Sequence, residues 1–258
     1  MTERPADASA PAGRTRLRAD QTCRGTVLYP AVAEAAHRLG ANTVGLVDVC
    51  CGAGLNLVLD RVAITYDDGR VLGDRQSPVQ LTARVVGRRP VPDRDVPQVV
   101  ARVGVDRDPV DVTDTEDARW LRACLPPDEP ERAARLDAEL ALLASDPPVL
   151  LRGNVVDLIP EAVARVPAGA LPVVTTTWAL SRLSTGDRRR FLHRITEVAA
   201  DRPVAWVSVE GVGVAPSVPT LGDRPASGHS LIGLALPERD AEVLGRCWSR
   251  GRLMSWLA

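Results

Sequence analysis

One stretch limits the architecture more than any other: "GLVDVCCGAGLNLVLD", Gly45 to Asp60. Its first part, with the two residues before it, is a continuous apolar run, "TVGLVDVC", bounded by glycines. Side chains alternate across a strand, so a strand with no polar face must be covered on both sides. Helices on two faces of one sheet are the simplest cover, and the chain supplies them. The runs "VVARVGVD", "PVLLRGNVVD", "LPVVTTTWAL" and "RPVAWVSVE" read as further buried strands. Segments of 3.6-residue period fall between them: "EDARWLRACL", "EPERAARLDAELALLASD", "IPEAVARV" and "TGDRRRFLHRITEVAA". The alternation predicts an α/β fold, doubly wound around a mostly parallel sheet.

Three segments depart from that rhythm. Residues 1–18, rich in Pro, Ala and Arg, read as a disordered tail ahead of a single domain over 19–258. A helix follows from about Ala31, with Gly40 as its stop, and "LNLVLDRVA" reads as the helix after the glycine turn. Residues 62–100 carry strand-like alternation around the turn dipeptide Asp68-Gly69 and predict an inserted β-hairpin or small meander. At the C-terminus, "HSLIGLALP" and "GRLMSWLA" read as an antiparallel pair at the sheet edge, joined by a short charged connection.

Composition excludes several functions. At 258 residues and 45% hydrophobic, the chain can bury a full core. A net charge of -1 gives no electrostatic case for nucleic acid or an anionic membrane as partner. No apolar stretch is long enough to span a bilayer, the N-terminus lacks a signal-peptide core, and a cytoplasmic protein is expected. Five cysteines without C-x-x-C spacing and three scattered histidines predict neither a disulfide framework nor a metal site. The chain has no lysine, which removes side-chain Schiff-base chemistry and with it an ordinary pyridoxal-phosphate enzyme.

The turn Cys51-Gly52-Ala53-Gly54 follows the first strand, where open parallel sheets bind ligands. A dinucleotide loop needs G-x-G-x-x-G; here Leu57 stands at the third glycine. Asp48, just before the loop, suits an ammonium better than an anionic pyrophosphate. Apolar-Asp-x-x-Cys-Gly-x-Gly resembles the first motif of class I S-adenosylmethionine methyltransferases. "VGVDRDP" resembles their second, in which an acid ending the next strand holds the ribose, and "RGNVVDLIP" their adenine-contacting turn. The resemblance covers residues 45–258 and implies a Rossmann-like fold that binds S-adenosylmethionine. Its cofactor candidates are Asp48, Cys50, Gly52, Gly54 and Asn56 in the first motif, then Asp106 and Arg107, then Asn154 and Val155, with Thr176 on the fourth strand. Cys50 and Cys51 also have the plainer reading of small buried hydrophobes.

"AGLNLVLDR", "SPVQLT", "RVGVDRDPVDVTDTEDARWLRACLPP" and "RGNVVDLIP" are also similar to an actinobacterial family known only as a domain of unknown function. Its members usually carry a larger helical N-terminal region. They have Gly and Ala where Cys50 and Cys51 stand, and a His-containing segment at Thr175–Thr177. The expected activity is methyl transfer to a small molecule, a specialised metabolite or an amino acid derivative. Glu210, His229 and Thr177 are the candidate catalytic groups near the ends of later strands. Tyr66 and Trp178 are candidate substrate contacts, the first on an insertion that could overhang the crevice or serve as an oligomer contact. "SGHSLIG" is one residue too long for the G-x-S-x-G elbow of a hydrolase. Two rivals stay open: a non-methylating use of S-adenosylmethionine that releases methylthioadenosine, and a non-catalytic protein of the same fold. A homodimer or second subunit could roof the crevice.

Overall fold

A computed structural model describes residues 24–258; the tail read over 1–18 lies outside them. The chain opens with α1 (Gly25–Arg38) and β1 (Thr43–Val49), then a 3-10 turn over Leu55–Arg61. Three strands follow: β2 (Ala63–Tyr66), β3 (Val71–Gly73) and β4 (Gln80–Val85). Next come β5 (Gln98–Asp106), α2 (Thr115–Ala123), α3 (Pro130–Ser145), β6 (Val149–Arg152) and α4 (Ile159–Ala164). The remainder is β7 (Leu171–Thr177), α5 (Thr185–Asp201), β8 (Ala205–Gly211), β9 (Ser230–Ala235), β10 (Glu242–Trp248) and β11 (Leu253–Trp256).

All eleven strands form one sheet in the order β3-β2-β4-β11-β10-β9-β8-β7-β1-β5-β6. The half from β6 to β8 is parallel throughout. β8 to β11 then run as an antiparallel meander, and β4 joins β11 in parallel. The chain is therefore a mixed α/β protein built on a large, mostly parallel sheet. Among the described residues, no helix is long and apolar enough to cross a membrane.

β1 is buried on both faces, as its composition demands. Val44 and Leu46 enter a core with α1 and the inserted strands, while Val47 and Val49 enter a second core with α4 and α5. α5 is largely polar and buries Phe191 and Ile195; the Phe191 ring meets the indole of Trp206 edge-on at 5.3 Å. α2 starts where Asp114 caps it, its carboxylate accepting from the backbone N–H groups of Glu116 and Asp117.

Three expectations change. "LNLVLDRVA" is not an α-helix: only seven residues separate Gly54 from Val62, and Val58 is non-helical. The Leu57 carbonyl bonds the Arg102 guanidinium, which also forks onto Asp60 at 2.7 and 2.9 Å. The C-terminal strands do not pair with each other, because β10 lies between them, and they are not an edge, because β4 continues the sheet. Lastly, α1 begins at Gly25, so Pro30 sits inside it.

Proline there removes the helical donor to the Thr26 carbonyl. The hydroxyl of buried Tyr66 donates to that oxygen at 2.8 Å instead. Tyr66, expected at the substrate, is thus a structural bolt from β2 to α1, and burial raises its pKa further. Tyr66→Phe leaves a buried carbonyl unsatisfied and should cost about 1–3 kcal/mol. With Pro30→Ala in place, the helix supplies its own donor and the same change should cost less than ~1 kcal/mol. Urea unfolding of the four proteins in this cycle measures the difference; equal costs in both backgrounds would refute the pairing.

Candidate functional site

β1 has β5 on one side and β7 on the other, so the direction of chain progression reverses at its carboxyl end. Ligand crevices form at such points. Two residues just past these strands are left-handed without being glycine: Cys50 after β1 at φ 57° and Trp178 after β7 at φ 50°. Strain of this kind clusters where function requires it. Gly54, at φ 81°, opens the turn that lets the chain double back beneath Asp48.

Asp48 is 1% exposed. Thr175 Oγ1 donates to one of its oxygens at 2.7 Å and Asn56 Nδ2 to the other at 3.2 Å. The Oδ1 of Asn56 in turn accepts from the backbone N–H of Arg24 at 3.1 Å. Burial pushes the Asp48 carboxyl up to about 6, against the hydrogen bonds and the nearby Arg24 charge. The Arg24 guanidinium stacks over the Trp178 ring at 4.3 Å, and the Trp178 indole N–H donates to Ser230 Oγ at 2.8 Å. A single connected set thus joins the ends of β1, β7 and β9 to the start of α1.

Asp106 ends β5 as expected and lies beside the glycine turn: its carboxylate accepts from Gly52 N–H at 2.9 Å and Asp108 N–H at 3.0 Å. Gly153, at the end of β6, donates its N–H to the Asp106 carbonyl at 2.9 Å. Asn154 spends its side-chain oxygen on the N–H of Val156 at 3.0 Å; Val155 is buried and Arg107 exposed.

Burial disfavours the thiolate form of both thiols, Cys50 and Cys51. Burial pushes Cys50 up to about 12, and the charge of Asp106 adds to it. Cys51 is raised as well, and its sulfur fills the space over Gly104, where an added Cβ would come within 2.7 Å.

The remaining candidates divide by face. Thr175 and Thr177 share the α1 face with Asp48, and Thr177 Oγ1 is buried with no hydrogen-bond partner. Thr176 points the other way and accepts from the Trp206 indole at 3.0 Å, which removes it from the Asp48 crevice. Glu210 is on that far face too. One oxygen accepts from the N–H groups of Ala179 and Leu180, both at 2.9 Å, so it shapes the turn after β7 rather than facing Asp48. His229 stands just before β9, its Nε2 2.9 Å from Asp223 Oδ2, and Arg246 forks onto the same carboxylate. The Arg246 guanidinium first, then His229, holds Asp223 below the usual carboxylate range.

Sequence reading missed Arg24, Thr175 and Asp223. Thr175 pairs in register with Asp48, a fact of strand alignment; Asp223 lies six residues before His229 in a glycine- and proline-rich loop, and nothing local marks it.

The site and the fold together define an α/β protein with a connected polar network at the carboxyl edge of its parallel strands. The sequence profile of the family described as "Uncharacterized protein conserved in bacteria (DUF2332)" matches residues 1–256, and the chain belongs to that family. No curated protein matches it.

Burial pushes the Glu210 carboxyl up to about 7, while its second oxygen finds no partner. A raised folded-state pKa means that stability falls as pH rises from the unfolded value near 4.5 through 7. Glu210→Gln keeps the acceptor for Ala179 and Leu180 and removes the charge. It should be about 1–3 kcal/mol more stable than wild type at about pH 8, and equal to it near pH 4.5. Urea unfolding at the two pH values reads this directly.

Proposed function

We propose that the chain binds S-adenosylmethionine at the carboxyl edge of β1 and transfers its methyl group to a small molecule. The observation that carries this reading is the pair of carboxylates around the glycine turn: Asp48 at the end of β1 and Asp106 at the end of the adjacent β5. The strand order β6-β5-β1-β7-β8, with antiparallel strands following, supports a Rossmann-like methyltransferase fold.

The residues present fit the cofactor. Asp48 uses one acceptor site on each oxygen, which leaves lone pairs for an ammonium group. Asp106 has the same reserve for ribose hydroxyls. Thr177 Oγ1, buried without a partner on the Asp48 face, is a polar atom that a bound ligand would satisfy. Gly52, left-handed at φ 58°, carries no side chain at the turn, whereas Leu57 and Pro148 already stand 3.2 and 3.4 Å from where a Cβ on Gly54 would sit. The adenine would lie toward Asn154 and Val155. The bound cofactor supplies an electrophilic methyl on a sulfonium.

The chain's own part is to align the acceptor and exclude water. His229 is not placed to take a proton from an acceptor over Asp48, because Arg246, which shares Asp223 with it, pairs with Leu231 and through it with Glu210 on the opposite face. Asp223 fixes the His229 ring there, and Arg246 keeps Asp223 ionised. Trp178, held between Arg24 and Ser230, forms a wall of the crevice.

Calorimetric titration with S-adenosylhomocysteine tests the reading, with NAD as control. Micromolar binding is expected in wild type, no binding in Asp48→Ala, and none of NAD. Because an ammonium needs the ionised carboxylate, wild-type affinity should fall as pH drops below about 6, by up to tenfold per unit. Asp48→Asn should bind weakly, with no such pH dependence. A folded wild-type protein that ignores S-adenosylhomocysteine ends the proposal. If it binds, product masses decide the chemistry: S-adenosylhomocysteine marks methyl transfer, and methylthioadenosine marks the rival reaction.

A further inference from the structure

A cleft of about 710 Å3 opens beside the Asp48 crevice, a size ordinary for small-molecule sites. Four segments form it: the start of α1, the start of β4, the turn Ser249–Arg252 between β10 and β11, and the approach to α3 from Asp128. β10 runs in the direction of β8, since β9 is antiparallel to both, so it ends at the same edge as β7 and β8. β11 and β4 start at that edge. The cleft therefore shares the carboxyl edge with Asp48, and Arg24 belongs to both: it lines the cleft, stacks on Trp178 and holds Asn56.

The lining is charged unevenly. On the side of α1 and the β10–β11 turn stand Arg24, Arg250 and Arg252, with no carboxylate. On the α3 side, Asp128, Glu129 and Glu131 stand with Arg132 and Arg135, and Glu129 is held by Arg132 at 3.1 Å. Among the described residues, no side-chain hydrogen bond or ion pair occupies the guanidinium of Arg135 or Arg252. The turn that carries Arg250 and Arg252 is fixed, not loose. Thr26 Oγ1 donates to the Gly251 carbonyl at 3.0 Å, and an added Cβ at Gly251 would come within 2.7 Å of that same hydroxyl oxygen. Ser249 and Arg250 are both left-handed, at φ 47° and 57°, and neither is glycine. Backbone strain is thus held in a turn whose arginines face a cleft.

We propose that this cleft is the acceptor site, and that the acceptor carries a carboxylate or phosphate group seated on the Arg252 side. This rests on the methyl-transfer reading above for the word acceptor; the anion site itself does not. Planar guanidinium forks suit both anions. An acceptor anchored there extends past Arg24 toward Trp178, where its reactive end meets the Asp48 crevice.

The test is thermal unfolding of the full chain titrated with succinate or inorganic phosphate, against KCl at matched ionic strength. One of the two anions should give a saturable rise in Tm beyond KCl, and which one does so separates carboxylate from phosphate recognition. Arg252→Gln should weaken that binding at least tenfold and Arg252→Glu abolish it. Arg252 is exposed, so both variants should fold. No saturable effect of either anion on wild type, or equal effects on wild type and Arg252→Glu, overturns the proposal. Anion binding that survives in Asp48→Ala, in a protein that ignores S-adenosylhomocysteine, keeps the anion site and removes the cofactor reading. S-adenosylhomocysteine binding without any anion effect does the reverse.

Discussion

A carboxylate buried at the end of a fully enclosed strand is the constraint on which the rest of the crevice depends. Asp48 cannot stay 1% exposed without partners, and the network that holds it draws on three different elements. Thr175 requires β7 to lie beside β1 in register. Asn56 requires the glycine turn to double back. Asn56 is itself held by the backbone of Arg24, which sets where α1 starts. Removing any one of these leaves a polar group buried and unpaired, so the three elements are positioned together.

The inserted strands are held with comparable economy. Two residue pairs, Leu253 with Arg84 and Met254 with Val85, join β4 to β11, and their small number would make a weak seam alone. The seam is secured from behind by Tyr66, which completes the hydrogen bonding that Pro30 disrupts in α1. Proline inside a helix is ordinarily a defect. Here it leaves a free carbonyl that a residue 40 positions away can take, and it thereby selects one docking of the insertion on the helix. That docking places the start of β4 opposite the β10–β11 turn, which gives the neighbouring cleft its walls.

The strands of the parallel half were legible because each is an apolar run with few alternatives, and Asp48, Gly52 and Asp106 were legible because they sit where such runs end. What sequence could not supply was parity and adjacency. Thr175, Thr176 and Thr177 look alike in the chain; only the register of β7 against β1 puts the first and third with Asp48 and the second against Trp206. β10 escaped notice because its register shifts between Val243 and Gly245, which breaks the two-residue period. The 3-10 turn escaped because the apolar spacing of Leu55, Leu57, Val58 and Leu59 suits a helix, whereas the carbonyl at Leu57 is drawn to Arg102 from a strand 45 residues away.

Parity also decides which acid can act at the crevice. Asp48 and Glu210 both end parallel strands and both are buried, yet they lie on opposite faces of the sheet. Glu210 is committed to the backbone of Ala179 and Leu180, so it could reach a ligand over Asp48 only if that turn unwound and α5 moved with it. The groups that need no such rearrangement are Thr177 and Trp178 at the end of β7 and Ser230 at the start of β9, where Trp178 and Ser230 already join the two strands. His229 falls with the glutamate, since Asp223 ties it to Arg246, which pairs with Leu231 and through it with Glu210. The glutamate serves the scaffold that keeps Trp178 in its left-handed conformation.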